Sequence, residues 1–246
     1  MKCPKCESEV KQYKVGKNAS GSQRYGCYLC KCKYTPEKKP HSYDAEFRQK
    51  AVQMYVDGMN LRRIGRHLGV HHQSVANWAK AHAEKLPAAP VPDQVQNAEM
   101  DEVFTFIGDK KNRIYIITIV DRKTRCILGW ALVWERTQEV IQLMVDDAPK
   151  AKWYFSDGFD AYARLWYHYG RYEVSKGKAD TYSVEGDNSE LRHYLARLAR
   201  KSRCFSRCPY ALQCALKLFV FAFNGRQLHK QLFPNYEAHV KDFINP

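Results

Sequence analysis

EMDEVFTFIGDKKNRIYIITIVDRKTRCILGWALV, residues 99–133, decides the fold. Met100 to Ile107, Arg113 to Val120 and Cys126 to Val133 are rich in β-branched and aromatic residues, and DKKNR and DRKTR between them read as turns. The pattern predicts a three-stranded antiparallel meander. Beyond it the periodicity alternates. TQEVIQLMVDDA (137–148) reads as a helix and residues 152–156 as a strand ending on Asp157; a helix at 158–167 and a short strand near 172–175 follow. A further helix opens near Glu185, and an apolar one runs from about 209 to 224. Three antiparallel strands followed by alternating helices and strands match a ribonuclease-H-like α/β core.

Within that core, three acids occupy places with chemical meaning. Asp101 lies inside the first strand, on the opposite pleat face from Met100 and Glu102. An acid in a strand core is costly unless it is paired or metal-bound. In this fold the fourth strand lies beside the first, so Asp157 would emerge next to Asp101. Glu185, opening a helix laid across the sheet, could point at the same spot. Three such carboxylates can hold two Mg²⁺ or Mn²⁺ ions about 3.5–4 Å apart, which stabilise the attacking and leaving oxygens of an in-line phosphodiester displacement. Glu102, Asp121, Asp160, Asp187 and Glu190 are the alternatives, and SDG at Asp157 also reads as a plain strand-to-helix turn.

Upstream lie two small modules. CPKC (3–6) and CYLC (27–30) are knuckles separated by 20 residues, a spacing that suits tetrahedral Zn²⁺ held by Cys3, Cys6, Cys27 and Cys30. Cys32 follows closely and could replace Cys30. The stretch between the knuckles reads as two short strands around a Gly/Ser turn, a zinc-ribbon layout. Four thiolates leave no open coordination site, so such a metal is structural. A module this short needs it to fold. Lys14, Lys17 and Arg24 suit DNA contact, with protein docking as the competing role. Cys126, Cys204, Cys208 and Cys214 are scattered and read as ordinary small residues.

From Tyr43 to about Leu86 the pattern turns helical. Ser42 and Asp44 can cap a helix with Phe47, Val52 and Tyr55 on its apolar face. Gly58 and Asn60 end it, Leu61, Ile64 and Leu68 supply the next face, and Gly69 turns into a helix anchored by Val75 and Trp78. This is a helix-turn-helix. Gln73, Ser74, Asn77 and Lys80 face the groove; Gln and Asn suit adenine edges, while Lys80, Arg62 and Arg63 suit phosphates. EKLPAAPVPDQVQ, with three prolines, reads as an extended linker. The organisation expected is a zinc ribbon at 1–40, a helix-turn-helix at 41–86, a linker at 87–98 and the catalytic core at 99–246.

The charge agrees with a polyanionic partner. Against 26 Asp and Glu stand 40 Lys and Arg, a formal +14, although solvated basic faces give the same number. Arg192, Arg197, Arg200, Lys201 and Arg203 follow Glu185 and suit a DNA-backbone channel. Trp130, Trp134, Trp153 and Trp166 read as core or interface residues rather than base-stacking ones, with Trp134, which ends a strand near the acids, as the exception. No run approaches the roughly 20 apolar residues of a membrane span. The N-terminus carries no apolar signal core, so a cytosolic location is expected.

MDEVFTFIGDKKNRIY around Asp101, YFSDGFDAY around Asp157 and VEGDNSELRHYLARLARKSRCFSR around Glu185 together resemble the DDE transposases of the IS-one family of bacterial insertion sequences. The last block, with Asn188, Leu191, Arg192 and a basic tail, is the most specific. The resemblance covers essentially the whole chain, since members also begin with a zinc finger and a helix-turn-helix. It implies Asp101, Asp157 and Glu185 as the catalytic triad, with motif spacing favouring Glu185 over Glu190. It further implies binding to terminal inverted repeats, Mg²⁺- or Mn²⁺-dependent nicking, transfer of the freed 3′-hydroxyl to target DNA, and at least a homodimer on DNA. A nuclease of the same fold that never joins, or a DNA-binding regulator with an inactive core, are the alternatives.

Overall fold

A computed structural model of the chain describes residues 1–18, 21–36, 43–175, 182–200 and 204–246. It divides into two compact units, Met1–Phe47 and Arg48–Pro246. In the first, β1 (Gln12–Lys17) and β2 (Gln23–Cys27) form the antiparallel hairpin expected of a ribbon, and β3 (Lys33–Tyr34) adds a third strand beside β2. Ser42, read as a cap, lies outside the described residues. Asp44 does cap: its Oδ1 accepts the Phe47 N–H at 2.7 Å, opening helix α1 (Ala45–Val56).

The second unit begins with the helix-turn-helix. Asn60 accepts the Arg63 N–H and opens α2 (Leu61–Leu68); Gly69, at φ +67, closes it in the left-handed conformation. Helix α3 (His72–Lys85) follows. At Gly65 an added Cβ would stand 2.7 Å from the Val70 carbonyl oxygen, so only glycine lets the turn pass this close. Ile64 and Val75 are fully buried between the helices.

Next comes a five-stranded mixed sheet in the order β6-β5-β4-β7-β8. Its strands are β4 (Val95–Ile107), β5 (Asp109–Asp121), β6 (Ile127–Val133), β7 (Ala151–Ser156) and β8 (Arg171–Val174). Strands β4 to β6 are the antiparallel meander, and β7 and β8 join parallel. This is the ribonuclease-H-like order. Helices α4 (Gln138–Asp147) and α5 (Asp160–Ala163) lie among the later strands, followed by α6 (Tyr182–Tyr194), α7 (Pro209–Leu232) and a 3-10 turn at Val240–Phe243.

Several bounds differ from the sequence reading. DKKNR is strand, not turn: the chain reverses at Gly108, φ +72, and Ile107 already pairs with Asp109. The Asn112 side chain donates to the Ile107 carbonyl and so supports that tight reversal. Strand β4 starts at Val95, taking up the end of the stretch read as linker. The helix expected at 158–167 is a single turn, because Gln142 on α4 takes over the backbone groups of Trp166. Its amide accepts the Trp166 N–H at 2.7 Å and donates to the Trp166 carbonyl at 2.9 Å, and His168 and Tyr169 then adopt positive φ. Helix α6 stops at Tyr194, and α7 runs eight residues beyond Asn224 to Leu232.

The two faces of the sheet carry separate cores. Met100, Ile117 and Ile119 pack in one cluster with Ile141 and Met144 of α4 and Tyr162 of α5. Ile114, Ile116 and Val120 share the other with Val184 and Leu191 of α6, with Phe219 and Phe223 of α7, and with Val52, Ile64 and Val75 of the helix-turn-helix. Complete burial of each such side chain contributes roughly 1.5–3 kcal/mol. The helix-turn-helix is therefore built onto α7. Lys217 Nζ donates to the Leu86 carbonyl at 2.6 Å, and the His82 ring bonds the Ile244 carbonyl at 2.7 Å. Asn224, fully buried in α7, donates to the carbonyls of Pro90 and Ile127 and accepts the Ile127 N–H. Among the described residues no helix is long and apolar enough to cross a membrane.

Asn224→Ala strands the Ile127 N–H and two carbonyls in a dry core. Urea unfolding should show a loss of about 3 kcal/mol; a change under about 0.5 kcal/mol would mean that this amide does not tie α7 to the sheet edge.

Candidate active site and cysteine cluster

Strand β4 alternates its side chains between the two cores. Glu99, Asp101 and Val103 share the face covered by α6, while Met100 and Glu102 point the other way. Asn188, one turn and a half into α6, donates its Nδ2 to Asp101 Oδ2 at 2.7 Å. Glu185, in the first turn of α6, lines with Asp101 an open cleft of about 670 Å³, together with Asn188, Arg192, His193 and Arg200. Asp157 follows the last residue of β7. β7 runs parallel to β4 with Glu99 beside Phe155, and Asp157 leaves it close enough for its charge to weigh on the Asp101 carboxyl. It is exposed, and its Oδ1 accepts the Phe159 N–H at 3.1 Å in the turn through Gly158. The turn reading thus holds for this residue.

The carboxylate oxygens of Asp101, Asp157 and Glu185 do not all lie within 4.8 Å of one another; among the described residues that closeness belongs to four cysteines alone. Burial, then the neighbouring carboxylates of Glu102 and Asp157, push Asp101 up to about 6 against the Glu102 N–H and the Asn188 amide that stabilise its charge. Asn188 Oδ1 is buried without a hydrogen-bond partner. One carboxylate strained toward its neutral form and an unsatisfied buried amide oxygen beside it fit a hard divalent cation.

The alternative acids have other occupations. Glu102 pairs with Arg136 and accepts the Tyr162 hydroxyl at 2.9 Å. Asp121 is buried, receiving the Thr124 N–H and hydroxyl within the β5–β6 turn. Asp160 pairs with Arg164. Asp187 meets Arg125 at 2.6 Å, and its burial outweighs that cation, pushing it up to about 7. Glu190 faces Arg226 of α7 at 3.7 Å, away from the cleft that Glu185 lines.

Of the residues read as DNA contacts, Arg62, Arg63, Gln73 and Asn77 are exposed and Ser74 is half-buried. Gln73 donates to Asn77 at 3.0 Å, which sets both amides on one face of α3. Lys80 turns to internal partners, Glu84 at 3.7 Å and the Tyr210 ring at 4.9 Å. Arg192 and Arg200 line the acid cleft. Arg197, counted with them in the sequence reading, instead bonds the Tyr55 hydroxyl and Ser206 Oγ, joining the helix-turn-helix to the segment before α7. Lys201 and Arg203 lie outside the described residues. Trp134 and Trp166 are exposed, Trp130 packs against the core, and Trp153 lies under Arg171.

Two features escaped the sequence reading: the buried Glu99, and the β5–β6 turn that supplies both Arg122 and Arg125 to α6 and its surroundings. Glu99 was legible in principle, since it precedes Asp101 by two residues in a strand and must share its face.

A family model described as IS1 transposase matches residues 94–217, the stretch containing β4, β7 and α6. The InsB protein of insertion element iso-IS1n from Shigella dysenteriae is 32% identical over 114 residues, 44% of this chain and 82% of that protein. The IS1 InsB protein of Shigella flexneri is 32% identical over 113 residues, with 45% and 82% covered. The chain belongs to the IS1 transposase family. A second model, described as the putative ATPase subunit of terminase (gpP-like), matches residues 46–99, across the helix-turn-helix of this IS1-family chain. Among solved structures, a chain of the simian T-cell lymphotropic virus intasome with PP2A regulatory subunit B56 gamma aligns at 14% identity and TM-score 0.40, over 69% of this chain and 66% of that one. The HTLV-2 integrase catalytic core in complex with magnesium aligns at 10% identity and TM-score 0.34, over 51% and 85%.

In this IS1-family chain the cysteine cluster is well formed. Cys3 Sγ lies 3.6 Å from Cys30 Sγ and Cys6 Sγ 3.7 Å from Cys27 Sγ. Cys32 turns to the Lys33 carbonyl and stands outside the group, which favours Cys30 for the fourth position. Backbone N–H bonding, first from Cys30, draws Cys27 down to about 6. At Cys30 the Cys32 N–H pulls the same way, yet burial and the three neighbouring thiols push it up to about 12. Four thiolates so close cannot all be charged without a cation, and the tetrahedral four-sulfur set suggests zinc.

Cys30→Ser should strip protein-bound zinc from dialysed protein, and Cys32→Ser should retain it, as measured by elemental mass spectrometry. The reverse pattern would move the fourth ligand to Cys32.

Proposed function

We propose that this chain is a DNA transposase that binds the terminal inverted repeats of its element, cleaves DNA at their ends and joins the freed 3′-ends to target DNA. The observation that carries the reading is the meeting of Asp101 and Glu185 in one arginine-lined cleft, with Asp157 just past the end of the adjacent strand, inside the stretch that matches the IS1 transposase model.

Asp101, Asp157 and Glu185 would hold Mg²⁺ or Mn²⁺, and the ions when bound supply Lewis-acid stabilisation of the attacking and leaving oxygens. Asn188 keeps the Asp101 carboxylate turned into the cleft. Arg192 and Arg200 meet the scissile backbone and offset phosphate charge, so the DNA lies along the α6 side of the sheet. No side-chain nucleophile is needed, because water and then the 3′-hydroxyl attack phosphorus directly. Cys3, Cys6, Cys27 and Cys30 would hold structural zinc. Arg62, Arg63 and, within the basic tail, Lys201 and Arg203 add phosphate contacts, while Gln73, Ser74 and Asn77 read base edges. Lys80 joins them by releasing Glu84. Joining needs two ends side by side, so the working species is a homodimer or larger on double-stranded DNA, in the cytosol.

The test is Mg²⁺-dependent cleavage and joining of the DNA flanking the gene. Wild-type protein should give joined products, and Asp157→Asn and Glu185→Gln should each lose them by at least about a thousandfold. Cutting without joining would make the chain a nuclease of this fold. End binding with no cutting under any divalent ion would make it a regulator.

In end-binding titrations, Arg62→Ala and Arg63→Ala should each lower the slope of log K against log salt by about 1 and weaken all sequences alike. Asn77→Ala should instead relax preference at one base position, by about 1–3 kcal/mol. An unchanged salt slope for both arginine variants would take α2 off the DNA.

A further inference from the structure

We propose that Glu99, paired with Arg122, is a positioning residue that sets Glu185 against Asp101. The inference deepens the acid-site reading and rests on it. Glu99 is 0% exposed, a carboxylate sunk in the centre of a sheet, where its charge is tolerated only if both oxygens are satisfied. Its Oε1 accepts Arg122 Nε at 2.6 Å, and its Oε2 accepts the Val184 N–H at 2.9 Å. Val184 immediately precedes Glu185 in the first turn of α6, where backbone N–H groups have no partner within the helix. A negative charge at that end also suits the helix dipole.

The geometry repeats one turn further on. Val184 meets Glu99, and Asn188, four residues later, meets Asp101, two residues further along β4. One helical turn rises about 5.4 Å, and two strand residues advance about 6.8 Å. The helix is therefore bolted to β4 at two points whose spacings nearly match, and Glu185 sits between the bolts. Arg122 extends the link to the third acid: its guanidinium lies 4.4 Å from the centre of the Phe155 ring, two residues before Asp157. One ion pair, its carboxylate buried and its guanidinium half-buried, thus touches all three segments that carry the acids, without entering the cleft. The β5–β6 turn that presents Arg122 is itself fixed by Asp121 and Thr124. Arg125 from the same turn holds Asp187, so the first two turns of α6 have no freedom to slide along the strand.

The experiment uses the full-length protein with two readouts: amide hydrogen exchange without divalent ions, and Mn²⁺ affinity by electron paramagnetic resonance. Glu99→Gln keeps the size of the side chain and removes its charge. Faster exchange at Val184 to Gly186 is expected, with Mn²⁺ affinity reduced about tenfold or more. Adding Glu99→Gln to Glu185→Gln should weaken Mn²⁺ binding little beyond Glu185→Gln alone. Arg122→Lys should recover much of both readouts, and Arg122→Gln should not. Unchanged exchange and affinity in folded Glu99→Gln protein, or losses from Glu99→Gln and Glu185→Gln that multiply, would overturn the proposal. Should Glu99→Gln fail to melt cooperatively, Arg122→Gln, which keeps the carboxylate, is judged by the same criteria. If Asp101→Asn leaves Mn²⁺ affinity untouched, the acid-site reading itself falls, while exchange at Val184 still tests the link from Glu99 to the helix.

Discussion

Placing carboxylates inside a sheet is the constraint from which the rest of the second unit follows. Glu99 and Asp101 stand on one face of the central strand, where an unpaired acid would cost several kcal/mol. Helix α6 answers both, with the Val184 N–H for one and the Asn188 amide for the other. In doing so it must lie along β4, and Glu185 then has no choice but to open into the same cleft. Asp101 remains under tension after this, burdened by burial and by Glu102 and Asp157.

Everything behind the cleft keeps α6 there. Leu191 and Val184 anchor its underside in the core shared with Phe219 and Phe223 of α7, and Asn224 ties α7 to the edge strand β6. The helix-turn-helix belongs to this same core. Tyr55 holds Arg197 just past the end of α6, and the turn at Gly58 would place an added Cβ 3.3 Å from the His193 carbonyl. His193 lines the acid cleft. The helix-turn-helix and α6 are thus mechanically continuous through one core.

Much of this was legible in the residues. The CxxC pairs, the Gly69 turn and the meander are local signals whose spacing follows from covalent geometry, and each falls where its pattern puts it. What was not legible depended on partners distant in the chain. No propensity says that Gln142 will replace the backbone partners of Trp166 and cut a helix to one turn. Nor does a row of arginines reveal that Arg197 serves Tyr55 while Arg192 serves the cleft. DKKNR reads as a turn by composition, yet Gly108 alone supplies the positive φ, so the strands extend through the charged residues. Lys80 looks free for phosphate until Tyr210 arrives from α7, beside Glu84 one turn along its own helix.

The most direct measurement is anomalous diffraction from crystals of the protein grown with Mn²⁺. Density between Asp101, Asp157 and Glu185, with Asn188 beside it and Glu190 still turned to Arg226, is the expected result. Manganese bound elsewhere, or an acid cleft that stays empty at millimolar Mn²⁺ while the fold is intact, would contradict the assignment of these three carboxylates as one metal site.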